Sequence, residues 1–185
     1  MTTANKLRVI GGHWRGRTLR FTPKDGLRPT PDRVRETLFN WLAPRISEAS
    51  CLDMFAGSGA LGLEALSRGA KRCDFLESSG AAAKAIEGHL RFLEANHRGQ
   101  VINTDALTFK APYPYDIVFI DPPYAEKIQH QALAWLLDNN MLAADARIYI
   151  EFSKRQPQPE LDARAVILRD KTAGDVRYQL LALST

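Results

Sequence analysis

The chain has 185 residues, 45% of them hydrophobic and 25% charged, with a formal net charge of +4; this composition suits one substantial globular domain and excludes a disordered or fibrous chain. No apolar run approaches bilayer length, and the polar start Met-Thr-Thr-Ala-Asn-Lys-Leu-Arg lacks a secretory core, so a cytoplasmic protein without a membrane partner is expected. Two cysteines, Cys51 and Cys73, and four scattered histidines show no metal-ligand spacing, which predicts reduced core thiols and no protein-bound metal.

The charge is unevenly spread. Residues 1–45 hold ten Lys or Arg against three acids, whereas the remainder holds 15 basic and 18 acidic residues. A basic arm on a mildly acidic body points to a polyanionic partner met through the N-terminus. A merely solvated face is the plainer alternative. Eight of the ten are arginines, whose planar fork suits phosphates and stacks on bases, and that favours the first reading.

Along the chain, Leu7–Gly11 and Arg17–Phe21 alternate apolar with basic residues around a glycine-rich turn, predicting a short hairpin with one cationic face. Residues 22–31 form a Pro/Gly-rich connector, and Thr30-Pro31-Asp32 marks the start of an amphipathic helix over roughly 31–43. Strands and helices then alternate: strand 51–55, helix 59–68, strand 72–76, helix 80–96, strand 101–103, strand 115–120, helix 126–139 and strand 147–152. This rhythm predicts right-handed crossovers and a parallel sheet. Ala165–Arg169 and Arg177–Leu183, joined by a short turn with Gly174, predict a closing hairpin and hence an antiparallel last strand. The chain divides by role into a basic hairpin and connector, 1–30, and a catalytic domain, 31–185.

Three acids follow successive strands. The turn from Asp53 through Phe55, Gly57 and Gly59 to Gly62 satisfies the G-x-G-x-x-G pattern, and Glu77 closes the next strand 24 residues after Asp53. A dinucleotide is the obvious alternative, but Asp53 would repel a pyrophosphate. An ammonium and a sulfonium would welcome it, as in S-adenosylmethionine, with Glu77 on the ribose hydroxyls and Asp105 on the adenine amine. Individually each acid also suits an ordinary cap, Asp105 especially. The apolar strand Ile117–Ile120 ends in Asp121-Pro122-Pro123-Tyr124. Two prolines stiffen the backbone, so the Asp121 carboxylate and Pro122 carbonyl can accept from an exocyclic amine while Tyr124 stacks on its base.

These motifs resemble class I methyltransferases that modify exocyclic amines, and specifically the RsmD-type 16S ribosomal RNA guanine-N2 methyltransferases. The resemblance runs through Arg8-Val-Ile-Gly-Gly-His-Trp-Arg-Gly-Arg, Leu27-Arg-Pro-Thr-Pro-Asp-Arg-Val-Arg-Glu, the glycine turn and Asp121-Pro-Pro-Tyr. It implies a Rossmann-like α/β fold, with a seven-stranded, mostly parallel sheet of order 3-2-1-4-5-7-6. It further implies methyl donation by S-adenosylmethionine to a guanine N2 in 16S rRNA, within an assembled or partly assembled small ribosomal subunit. The catalytic residues are then Asp121, Pro122 and Tyr124; the cofactor residues are Asp53, Phe55, Gly57, Gly59, Glu77, Asp105 and Thr30. Arg8, His13, Trp14, Arg15, Arg17, Arg28 and Arg33 are expected to hold RNA, in a monomer with room for ribosomal-protein contacts. Trp14 suits a stacking role and a core anchor equally. Four rivals stand beside this reading: a DNA adenine-N6 methyltransferase, a protein glutamine methyltransferase, an NAD dehydrogenase and a non-catalytic RNA-binding assembly factor.

Overall fold

Alternating apolar strands and amphipathic helices wind into a three-layer arrangement in the protein's computed structural model, which describes residues 5–21, 30–123, 128–155 and 161–184. A two-stranded antiparallel hairpin, β1 (Asn5–Arg8) and β2 (Thr18–Phe21), precedes α1 (Asp32–Leu42). The main series is β3 (Ser50–Asp53), α2 (Ala60–Ser67), β4 (Arg72–Leu76), α3 (Gly80–Phe92), β5 (Gly99–Ile102), β6 (Tyr115–Ile120), α4 (Gln129–Asp138) and β7 (Leu142–Ser153). β8 (Ala165–Ala173) and β9 (Val176–Leu183) close it. The seven-stranded sheet has order β5-β4-β3-β6-β7-β9-β8, and only β9 runs against its neighbours, as the sequence predicts.

Each central strand is apolar on both sides because helices cover both faces. Ile117 and Phe119 of β6 join α1, α2 and α3 in one core, while Val118 and Ile120 join α4 in the other. Cys51 and Cys73 are buried free thiols in the first core. No helix among the described residues is long and apolar enough to cross a membrane.

Several boundaries move by a few residues, and two of the shifts have a visible cause. α3 stops at Phe92 rather than near residue 96, because Glu94 takes φ 56° and the Ala95 N–H turns back to the Leu90 carbonyl at 2.8 Å. β7 begins at Leu142, ahead of the expected 147, where a register shift against β6 lets Ala143-Ala144-Asp145 join the strand. Of the expected helix 126–139, residues 126 and 127 lie outside the described residues, and Ile128 precedes the first helical residue, Gln129.

The hairpin is built into the first core. Leu7, Val9, Trp14 and Leu19 are buried against α1, α2 and α3. A polar network fixes the backbone. Arg35, 1% exposed, donates to the Arg8 carbonyl at 2.9 Å and pairs with Glu64 at 3.6 Å, while Glu64 accepts from the Ile10 N–H at 2.9 Å and from Arg68 at 2.7 Å. Ser67 accepts from the Trp14 N–H and donates to the Gly11 carbonyl. Gly12 lies so close to α2 that an added Cβ would meet the Ser67 carbonyl oxygen at 1.9 Å, and its φ is +74°. Only glycine fits there.

Candidate active site

Parallel strands deliver their ends to one edge, where ligands of open α/β sheets bind. Asp53 is level with Phe75 on β4 and Phe119 on β6, and Ile120 is level with Ile150 on β7. Residues two apart on a strand share a face. Asp53 ends β3, Glu77 and Asp121 follow β4 and β6, and Glu151 lies within β7; the four share one face of neighbouring strands. The sequence reading found the first three. It missed Glu151, which sits in an ordinary-looking apolar alternation, Tyr149-Ile-Glu-Phe.

Asp53 is 1% exposed. One oxygen accepts from the Gly62 N–H at 3.0 Å, tying the strand end to the first turn of α2. Oδ1 is buried and has no hydrogen-bond partner among the described residues. Burial pushes this carboxyl up to about 7, against the pull of the Gly62 N–H, and the charge of Glu77 adds to the rise. Gly57 and Gly59 take φ 53° and 78°, so the turn between them folds back along the strand ends.

Glu77, half-buried, accepts the Gly57 N–H at 2.8 Å and the Ser79 N–H at 2.7 Å. Those bonds orient the carboxylate and use about half its acceptor capacity. Asp105 is exposed beyond β5 and spends one oxygen on the Leu107 N–H at 2.8 Å, an ordinary cap geometry. Phe55 is partly buried against the α4-side core.

Asp121 follows β6, with Pro122 buried and Pro123 exposed beside it. Its Oδ2 accepts from the Thr30 hydroxyl at 2.9 Å. Thr30, itself 5% exposed, thus reaches the acid from the segment ahead of α1. Burial raises the Asp121 carboxyl well above its usual range, the charge of Glu151 raises it further, the Thr30 bond lowers it, and Asp53 adds a smaller rise. Tyr124 and Arg28 lie outside the described residues.

The expected RNA-binding residues divide between two places: the Arg8 carbonyl shares the Arg35 guanidinium with the carbonyl of Thr30, the partner of Asp121, whereas the hairpin turn meets the far end of α2. Arg8, His13, Arg15, Arg17 and Arg33 are exposed, whereas Trp14 is 5% exposed and occupies the anchor role. The hairpin turn is bonded to Ser67 at the end of α2, and the Arg17 guanidinium lies 5.8 Å over the Phe92 ring at the end of α3. Both helices begin at the acid edge and run away from it. At 1.5 Å per residue, the eight residues of α2 put the hairpin turn roughly 12 Å along that helix from the acid edge, and the thirteen of α3 put Phe92 roughly 20 Å from it. Phe92, 61% exposed, went unnoticed in the sequence because it continues a helical pattern. A nearby cleft of about 550 Å³ at the amino ends of β4 and β5 is lined by Arg72, Arg91, His97, Arg98 and Tyr113.

Residues 7–182 match the family described as Conserved hypothetical protein 95. The chain is 46% identical over 179 residues to Ribosomal RNA small subunit methyltransferase D of Escherichia coli K12, covering 96% of this chain and 90% of that protein. It is 45% identical over 182 residues to the protein of the same name from Haemophilus influenzae, covering 95% and 93%. A solved Escherichia coli structure described as a methyltransferase superposes with a TM-score of 0.89 at 43% identity, covering 97% and 98%. By these matches the chain belongs to the family of the small-subunit ribosomal RNA methyltransferases D.

Proposed function

We propose that this protein methylates the exocyclic N2 of a guanine in 16S ribosomal RNA, with S-adenosylmethionine as donor, and that Asp121 receives the amine. The observation that carries the reading is the line of carboxylates on one face of four neighbouring strands, three of them at strand ends, closed by a rigid Pro-Pro turn. Such an edge offers acceptors and repels phosphates, which disfavours a dinucleotide. It suits a ligand that presents an ammonium, ribose hydroxyls and an amine. The buried Asp53 oxygen without a partner is the fit an ammonium completes. Glu77, held by two backbone N–H groups, retains lone pairs for the ribose hydroxyls. Asp105 takes the adenine amine with the oxygen that Leu107 does not use.

When bound, S-adenosylmethionine supplies an electrophilic methyl group on a sulfonium, so the protein's task is placement. The Thr30 hydroxyl fixes one oxygen of Asp121, leaving the other to accept from guanine N2 together with the Pro122 carbonyl. Two acceptors off the plane of the base favour a pyramidal nitrogen and free its lone pair for in-line attack. Tyr124 is assigned to stack on the unstacked guanine, as base-flipping enzymes do. Arg8, Arg15, Arg17, Arg28, Arg33 and His13 are assigned to phosphates, and Phe92 under Arg17 offers an exposed ring beside them. The relatives named for ribosomal RNA support that substrate.

The test is transfer of tritiated methyl from S-adenosylmethionine into small subunits that lack the modification, with nucleoside analysis of the product. Label in N2-methylguanosine is expected. Label in adenosine, or labelling of DNA in preference to small subunits, would overturn the reading in favour of an adenine-N6 enzyme.

A further inference from the structure

We infer that Glu151 is a positioning residue of this site: side by side with Asp121, it sets that acid's proton affinity and orientation toward the amine. The inference rests on the assignment of Asp121 to the amine. The geometry starts from register. Ile120 and Ile150 are partners across β6 and β7, so Asp121 and Glu151 are the next pair, on strands about 4.8 Å apart. Both point to the α1 face, the one carrying Phe119 and Tyr149.

Glu151 is 2% exposed, although an acid in mid-strand is usually solvated. Its position is over-determined. The Tyr149 hydroxyl donates to Oε2 at 2.6 Å, and Gln129, at the start of α4 and 2% exposed, donates to the Glu151 carbonyl at 3.2 Å. Tyr149 in turn is wedged between the Phe119 and Tyr178 rings, with centroids 6.5 and 6.3 Å away. Packing therefore delivers a carboxyl to the flank of Asp121 and keeps it there.

Among the described residues, the groups facing Asp121 are Asp53 from β3, Glu151 from β7 and the Thr30 hydroxyl from the segment ahead of α1. Glu151 neighbours Asp121, accepts from the Tyr149 hydroxyl and lies level with Tyr178 of β9. Residues 124–127 lie outside the described residues. A carboxylate charge at this spacing acts directly on the proton affinity of Asp121. The effect on Asp121 has a definite sign: a negative Glu151 favours the protonated acid, so Asp121 ionises at higher pH than it would alone and is a stronger base once ionised. Methyl transfer forms the N2–CH3 bond, breaks the S–CH3 bond and leaves a proton on the amine nitrogen. An acid of raised proton affinity, already hydrogen-bonded to that nitrogen, is the natural acceptor.

The experiment compares wild type with Glu151→Gln and Glu151→Asp. Carboxyl carbon shifts of Asp121, followed against pH by NMR in the substrate-free protein, give its titration without reference to activity. The acid limb of kcat/KM on small subunits is measured in parallel. Glu151→Gln keeps the shape and the Tyr149 hydrogen bond but removes the charge. It should weaken the proton affinity of Asp121 tenfold or more and move the acid limb to lower pH by the same amount. Glu151→Asp, which keeps the charge one methylene further back, should give a smaller shift in the same direction and serves if the glutamine variant does not fold. An Asp121 titration unmoved in both variants overturns the inference. So does a fall in rate at every pH with the limb in place, the signature of a purely structural glutamate. A titration that shifts in a protein that never methylates small subunits leaves the pairing standing and defeats the functional reading instead.

Discussion

Two buried charged regions of this molecule differ in how their charges are answered. Where the hairpin docks, Arg35 and Arg68 flank Glu64, and backbone N–H and carbonyl groups of the hairpin take up the remaining capacity. At the carboxyl edge of the sheet, acids face acids: Asp53 raises Asp121, Glu151 raises it more, and one Asp53 oxygen has no partner among the described residues. Charge that is met inside the protein builds scaffold; like charge crowded together is held in readiness for something outside. The same residue types therefore carry opposite meanings, and the difference can be broken experimentally.

The largest effect should come from the edge. Asp121→Ala is expected to cut methyl transfer by roughly 10²–10⁴-fold, the range for loss of a positioned acid–base group, while cofactor affinity stays within about tenfold. Near-normal turnover by the variant would detach the carboxylate from the chemistry. Next comes the dock. Arg35→Ala leaves Glu64 buried without its α1 partner and should cost about 3–5 kcal/mol in denaturant unfolding. Deleting residues 1–22 should likewise destabilise the core, because Leu7, Val9, Trp14 and Leu19 are part of it. A truncated protein as stable as the full chain would show that the dock is dispensable.

A smaller effect is expected at Glu77. Its replacement by alanine should weaken S-adenosylmethionine binding by about 1.5–3 kcal/mol in titration calorimetry, the worth of hydrogen bonds to a charged group. Unchanged affinity would place the ribose elsewhere. Asp53 gives a pH signature. Its carboxyl is pushed up to about 7 and an ammonium prefers the ionised form, so affinity should rise as pH increases through about 7. Asp53→Asn should abolish that rise, and a rise persisting in the variant would move the ammonium off Asp53. The smallest change concerns the far end. Neutral replacement of Arg15 and Arg17 should leave the fold intact and make binding to small subunits less steeply salt-dependent; an unaltered slope would free those side chains from any phosphate role.

The two regions also differed in how far the sequence revealed them. Asp53, Glu77 and Asp121 were legible because each follows an apolar strand directly, and two prolines after Asp121 leave few ordinary structural uses. The antiparallel β9 followed from the closing hairpin, while the strand order came only with the family resemblance. Glu151 was hidden, since an acid in a two-residue alternation reads as a solvated face; only the layer of α1 above β7 buries it. Arg35 and Glu64 lie on different helices, so their pairing depends on tertiary placement that no local pattern encodes. Trp14 was ambiguous for the same reason, and its burial needed Ser67 in place. The end of α3 was missed because Glu94 does the work usually given to glycine, as Gly69 does after α2.

The central claim is that the crowded acid edge, with Asp121 at its centre, delivers a methyl group to guanine N2 of small-subunit RNA. The most direct measurement is tritiated methyl transfer into unmodified small subunits by the wild-type protein and by Asp121→Ala, followed by nucleoside analysis. The account predicts N2-methylguanosine from the wild type and background label from the variant. Label in any other nucleoside, or equal labelling by both proteins, would contradict it.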